Sequence, residues 1–221
     1  LSRAFLRSSA LTSAVTLPLS AVCALLAPEI ILKILGDQWG DAIVPFQVLS
    51  LGIYFRLGYK SSGSLAKAIG QVPKLARLKV VYALSVLVGA GAGAAYGIAW
   101  VAAGVVGALI LHFALLLRMS LHDLELNWRE YLRLYRPALI TTVVVSVGCF
   151  LSALLLRIAA LPAFVVLLGA TMMAIIAGCV SLWLMPSALS VRELEWRTAR
   201  LRAAVPAAVA RIPGKRIDSN T

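Results

Sequence analysis

Acidic residues are scarce in this chain of 221 residues, where nine Asp and Glu stand against 21 Lys and Arg, and none of the nine lies in the middle of an apolar segment. Histidine occurs twice. We find no paired carboxylates, no nucleophile with a neighbouring base, no phosphate-cradling glycine loop and no metal-ligand cluster. These absences argue against an enzyme, and they predict a protein without a cofactor or a catalytic metal.

Cysteine is also rare, and Cys23, Cys149 and Cys179 fall in separate apolar segments with no paired spacing. A free cysteine in such surroundings behaves as a small hydrophobic residue, so we expect neither a disulfide bond nor a metal site. The sequence opens on Leu1 without the layout of a signal peptide. We therefore expect it to begin within a longer protein.

Apolar residues make up most of what is present: the chain is 61% hydrophobic and 14% charged, with a mean hydropathy of +0.92. Such a composition leaves too little polar surface for a soluble domain. Six apolar windows have about the 20 residues that cross a bilayer. They cover approximately 11–35, 43–69, 78–96, 99–117, 137–158 and 163–185. Residues 1–186 are therefore predicted to form an all-α polytopic membrane domain with six transmembrane helices, with a kink in the first span, which contains Pro18 and Pro28.

The net charge of +12 does not indicate a nucleic-acid partner, because the basic residues are scattered among apolar spans. They concentrate before the first span, in alternate connections and after the last span. Cytoplasmic segments carry an excess of Lys and Arg. We therefore expect both ends of the chain to be cytoplasmic.

Two segments outside the spans have the spacing of amphipathic helices that lie on a membrane surface. The first contains Leu121, Leu124, Trp128, Tyr131 and Tyr135. The second lies in a cytoplasmic tail over 187–221, where Ser190 and Glu193 resemble a capping box and the end is expected to be disordered. A solvated linker remains the alternative for each.

Small residues predict a tight hairpin between the third and fourth spans, which are joined through Gly97 and Ile98. Gly89 and Gly93 have the GxxxG spacing, and Gly104 and Gly107 are expected to face the same hairpin. Small side chains let membrane helices approach closely. We interpret this pattern as helix packing.

The main functional hypothesis concerns the second span, where Arg56, Lys60 and Lys67 lie on one side of a helix with Gly63 between them. An ionisable residue within a membrane usually faces a protein interior or a watery cavity. Arg56 is expected near mid-membrane, whereas Lys67 is close enough to the interface to reach the headgroups. The stripe predicts a large anionic cargo that meets the protein within the membrane. Gly63 would give a bulky ligand or a neighbouring helix room to approach.

Glu29 is a weaker candidate, near the outer end of the first span and directly after Pro28. It fits a gate or a proton site. It also fits an interfacial carboxylate at the start of a helix, where the positive end of the dipole stabilises it.

Several short runs give the chain a family resemblance. They are LAPEII at 26–31, LGDQW at 35–39, LSLG at 49–52, Phe55-Arg56, SLAKAIG at 64–70 and YGIAWVAAG at 96–104. In these runs residues 1–137 resemble polysaccharide-biosynthesis flippases of the multidrug/oligosaccharidyl-lipid/polysaccharide exporter superfamily, especially those related to O-antigen exporters. The last two spans are generic.

The resemblance implies a partial second lobe of a two-lobe exporter in the bacterial inner membrane. It also implies undecaprenyl-diphosphate-linked oligosaccharide as cargo, alternating access as the mechanism, and the missing N-terminal lobe and membrane lipids as partners. A cation-coupled multidrug exporter of the same superfamily, which needs membrane-buried carboxylates, and a non-transporting membrane scaffold remain alternatives.

Overall fold

The computed structural model describes residues 2–158 and 163–184, and every described element is helical. The α-helices are α1 (Ser2–Leu25), α2 (Ala27–Ile34), α3 (Ile43–Leu51), α4 (Ile53–Ala68), α5 (Val72–Ala94), α6 (Ile98–Asp123), α7 (Trp128–Ile158) and α8 (Ala163–Leu184). A 3-10 helix, Asp37–Ala42, joins α2 to α3. Gly52 keeps helical backbone angles between α3 and α4, so these two helices form one nearly continuous rod.

Five segments among the described residues are long and apolar enough to cross a membrane. They are Ala4–Leu25, Asp37–Ala68, Val72–Ala94, Ile98–Asp123 and Tyr135–Ile158. The apolar part of α8, Phe164–Val180, is shorter. The predicted all-α polytopic fold is confirmed, with five such segments and one shorter apolar helix in place of six equal spans.

The first predicted span consists of two helices. Helix α1 continues through Pro18 and ends at Leu25, and α2 begins at Ala27 with Pro28 in its first turn. Proline is tolerated there because the first N–H groups of a helix have no partner within it. The interruption therefore lies at Leu26, and the helix does not break at Pro18.

Helices α5 and α6 form the predicted hairpin. Gly97 makes the turn with a φ of 110°, a conformation that favours glycine. A Cβ atom at Gly89 would lie 2.8 Å from the carbonyl oxygen of Gly104, so only glycine allows this approach. Gly107, in contrast, has no atom within 4 Å of a Cβ position and does not take part in the packing.

The helices form an open row in the order α8, α7, α1, the α3–α4 rod, α6 and α5, with one hairpin at each end. Phe5, Leu65, Leu121 and Tyr131 belong to one buried cluster. The start of α1, the end of α4, the end of α6 and the start of α7 therefore lie at the same end of the bundle. We call this the basic end, because Lys67, Lys74, Arg77, Lys79, Arg118, Arg129 and Arg136 lie there. Glu29, Asp37, Asp41 and Arg157 lie at the opposite end.

The predicted surface helix between the fourth and fifth spans is wrong. Helix α6 extends to Asp123, and a tight turn follows in which the Leu126 N–H donates to the Leu121 carbonyl and Glu125 has a φ of 53°. This is the Schellman way of ending a helix. Helix α7 then runs without interruption from Trp128. Leu121 and Tyr131 of this segment are buried against the protein, with the Tyr131 ring 6.3 Å from that of Phe5, whereas Trp128 is 47% exposed. The second predicted surface helix, in the tail, lies outside the described residues.

Candidate functional site: an unpaired basic stripe on α4

Helix α4 carries the predicted basic stripe on its free side. At about 100° per residue, Arg56, Lys60, Gly63 and Lys67 fall within about 60° of arc. Tyr54, Ser62, Leu65 and Ala66 are buried on the opposite side, where α4 packs against α1 and α6. The stripe therefore faces away from the helices that hold α4 in place.

Contacts between α4 and α6, which run in the same direction, give the depth of Arg56. A Cβ atom at Gly52 would lie 3.0 Å from Val106, and one at Gly58 would lie 2.9 Å from the Phe113 ring. Arg56 lies between these two glycines, so it is level with the middle of α6 (Ile98–Asp123). A helix of that length exceeds the hydrocarbon thickness of about 30 Å. The mid-membrane depth of Arg56 stays a prediction.

The side chains of Arg56, Lys60 and Lys67 are exposed, and none forms an ion pair with the described residues. A Cβ atom at Gly63 would meet nothing within 4 Å, so the space beside it is open and no neighbouring helix uses it. The stripe is thus an open surface of positive charge along the length of α4.

Glu29 lies far from the stripe, in an ion pair at the opposite end. Its carboxylate side chain is 7% exposed, and Arg157 of α7 contacts its Oε1 through Nη2 at 2.5 Å. The second carboxylate oxygen, Oε2, is buried without a hydrogen-bond partner among the described residues. Sequence reasoning missed Arg157 as the partner. The available signal was that Arg157 stands at the connection between the last two predicted spans, which is otherwise free of Lys and Arg.

Aromatic residues hold α4 against its neighbours. The Phe113 ring lies 5.6 Å from both Tyr54 and Phe55, in edge-to-face geometry. His112 is buried between Tyr59 at 5.0 Å and Tyr82 at 4.7 Å, so it links α4, α5 and α6. Edge-to-face contacts add stability beyond the area they bury. This layer fixes the rotation of α4 and therefore the direction of the stripe.

Polar side-chain contacts also form at the basic end of the bundle. Gln71 donates from Nε2 to Oδ1 of Asp123 at 3.1 Å, which joins the start of α5 to the end of α6. The hydroxyls of Tyr131 and Tyr135 share a short hydrogen bond. Burial raises the pKa of the Tyr131 hydroxyl above its ordinary value, so this residue stays neutral and contributes no charge.

The fold is that of a multi-pass α-helical membrane protein. Comparison of the chain with protein-family models, with curated proteins and with solved structures finds no match. Among the described residues, no group of three His, Cys, Asp or Glu side chains is arranged to hold a metal ion. Any functional assignment therefore depends on the stripe and its surroundings.

Proposed function

We propose that this chain is part of an exporter that flips an undecaprenyl-diphosphate-linked oligosaccharide across the bacterial inner membrane. The observation that carries the proposal is that Arg56 lies midway along the α3–α4 rod, exposed, with no acidic partner among the described residues. Leaving such a charge in hydrocarbon costs several kcal/mol on insertion scales, about 2.5–3.5 for Arg at the helix centre. A water-filled cavity beside α4 removes most of that cost.

The chemistry of the stripe favours a phosphate-bearing cargo. The planar guanidinium of Arg56 can donate two parallel hydrogen bonds to a phosphate, and Lys60 adds a movable positive charge one turn away. Gly63 leaves open space beside them for a bulky group. A lipid diphosphate moving through the membrane needs such partners along its path.

The described helices form an open row that leaves the stripe uncovered, so the proposal includes a second lobe that faces the stripe. The family resemblance supplies this part: two lobes rock between inward-open and outward-open states around a central cavity. In this arrangement the basic end, and both ends of the chain, are cytoplasmic. The excess of Lys and Arg at the basic end supports that orientation.

Glu29 is the residue on which a cation-coupled drug exporter would depend, and its unpartnered Oε2 favours that alternative. However, Arg157 already neutralises the carboxylate, and Glu29 lies at the opposite end of the bundle from Lys67. A carboxylate that must bind and release a cation should not be held by a permanent positive partner. We therefore favour export of an anionic cargo over cation-coupled drug export.

Transport measurements on the protein expressed from the complete gene test the proposal. Arg56→Ala should abolish flipping of undecaprenyl-diphosphate-linked sugar in membrane vesicles, and Arg56→Lys should retain part of it. Arg136→Ala, an exposed arginine at the basic end, is the matched control and should leave flipping unchanged. Full flipping by the Arg56→Ala protein at equal expression would remove the proposed role.

A further inference from the structure

A second basic surface, separate from the stripe, lies at the basic end of the α5–α6 hairpin. A groove of about 470 Å³ opens there between the first turns of α5 and the last turns of α6. Its lining residues are Lys74, Arg77, Leu78, Leu115, Arg118, Met119, His122 and Asp123. Three permanent positive charges thus surround an apolar floor.

An apolar groove of about 480 Å³ lies further along the same two helices. Its lining residues are Val81, Leu84, Ser85, Val88, Gly89, Gly104, Gly107, Ala108 and Leu111. The missing side chain of Gly107, whose Cβ position has nothing within 4 Å, helps to create the space. The charge is confined to the basic end, and the groove beyond it is hydrophobic apart from the Ser85 hydroxyl, which donates to the Val81 carbonyl of its own helix.

The two grooves share one face of the hairpin. On α5 the lining positions advance from Lys74 through Val81 to Val88 in steps of about two turns. On α6 they return from Gly104 through Leu111 to Arg118 with the same spacing. From Lys74 to Val88 the two grooves together span about 21 Å at 1.5 Å per residue. They therefore reach from the interface to the depth that an acyl chain occupies in one leaflet of about 15 Å.

We propose that these two aligned grooves together bind one anionic phospholipid, with its phosphate on Lys74, Arg77 and Arg118 and one acyl chain along α5 and α6. Basic pockets between membrane helices at their charged ends bind the headgroups of anionic lipids. Asp123 is the acidic residue in the lining, and its Oδ1 accepts a hydrogen bond from Gln71. Three basic side chains against one carboxylate leave the pocket positive even when His122 is neutral.

The site is distinct from the proposed transport path. His112 and Phe113 of α6 face Tyr59 and Tyr54 of α4, whereas the groove occupies the other side of α6. A lipid bound there would lie on the outer surface of the hairpin. It would therefore stay with the protein and would not pass along the stripe.

Native mass spectrometry of the full chain in detergent, with added phosphatidylglycerol or phosphatidylcholine, tests the proposal. We expect phosphatidylglycerol to bind more tightly than phosphatidylcholine. Replacing Lys74, Arg77 and Arg118 together by Gln should weaken phosphatidylglycerol binding at least about tenfold, since each basic residue near an anionic surface contributes roughly a factor of five. The matched control, Lys79, Arg129 and Arg136 replaced by Gln, removes the same charge outside the groove and should change binding less than about twofold.

A second pair of variants tests the acyl-chain half of the site. A Cβ atom at Gly107 or at Gly91 would meet nothing within 4 Å, so both positions accept a larger side chain. Gly107→Phe fills the groove and should weaken phosphatidylglycerol binding, whereas Gly91→Phe lies outside it and should not. Equal binding of the two lipids, or equal binding by the two charge variants, would overturn the proposal. Displacement of the lipid by inorganic phosphate, with no effect of Gly107→Phe, would identify a free-phosphate site and overturn it as well.

Discussion

Arg157 donates a hydrogen bond from Nε to Oε1 of Glu29 at 2.7 Å, across a sequence separation of 128 residues. The Glu29 side chain is 7% exposed and that of Arg157 is 44% exposed. The pair links α2, which follows the interruption at Leu26, to the end of α7. Because Leu26 itself is fully buried against the α7–α8 hairpin, the ion pair and this apolar contact together fix the opposite end of the bundle.

The different burial of the two partners predicts an asymmetric response to mutation. Arg157→Met leaves a buried carboxylate without a partner and should cost about 1–3 kcal/mol of stability. Glu29→Gln removes the charge and leaves a half-exposed arginine that water can reach, so its cost should be smaller. The double variant should recover part of the loss. Thermal unfolding of the four purified proteins measures this cycle, and equal losses for the two single variants would contradict it.

The contact between Gly89 and Gly104 predicts that Gly89→Ala destabilises the α5–α6 hairpin. The added Cβ would lie 2.8 Å from a backbone oxygen that cannot move independently, and overpacking of this kind costs about 1–3 kcal/mol. Gly91→Ala, on the same helix with open space at its Cβ position, is the control. Thermal unfolding should show a lower midpoint for the first variant only. A hairpin that tolerates both alanines equally would disprove the close contact.

The two histidines of the chain form a natural pair for comparison. His112 is 2% exposed between Tyr59 and Tyr82, whereas the His122 side chain is 89% exposed. His112→Ala should lower stability by about 1–3 kcal/mol, because it removes a buried ring that joins three helices. His122→Ala should have no measurable effect on unfolding. A stable His112→Ala protein would mean that the aromatic layer does not hold α4.

The proposed orientation predicts which loops a membrane-impermeant thiol reagent can reach. In a background with Cys23, Cys149 and Cys179 replaced by Ala, Asp41→Cys should be labelled from outside intact spheroplasts. Glu125→Cys, at the basic end, should be labelled only after the membrane is opened. The reverse pattern would invert the orientation, and with it the direction of the proposed path.

Hydropathy predicted the approximate positions of the long apolar helices, but it was less informative about the residues at which they begin and end. The span predicted at 78–96 begins later than α5, which starts at Val72, because charged residues lower hydropathy without interrupting the helix. Lys74 and Arg77 therefore belong to the first turns of α5. In these turns they lie opposite Arg118 of α6 and line the basic groove with it. The sequence alone did not predict this groove.

Amphipathic spacing could not distinguish a helix on a membrane surface from the end of a packed helix. Leu121 and Tyr131 repeat with the period that both arrangements require, and the structure buries them against Phe5 of α1. The Glu29–Arg157 pair could not be predicted from the sequence either, because hydropathy assigns residues to an end of the bundle without showing which helices are neighbours. In contrast, the common side of Arg56, Lys60 and Lys67 follows from helical spacing within one helix, and the structure agrees with it.

Transport of an anionic cargo along α4 requires that Arg56 face water at mid-membrane, and the labelling of a cysteine at that position measures this directly. In the cysteine-free background, Arg56→Cys is compared with Val147→Cys, which lies near the middle of α7 and is 51% exposed on the outer surface of the described bundle. We predict that a water-soluble thiol reagent labels position 56 in the native membrane and leaves position 147 unlabelled. If position 56 were as unreactive as position 147, the stripe would face lipid, and the proposed path for an anionic cargo would be wrong.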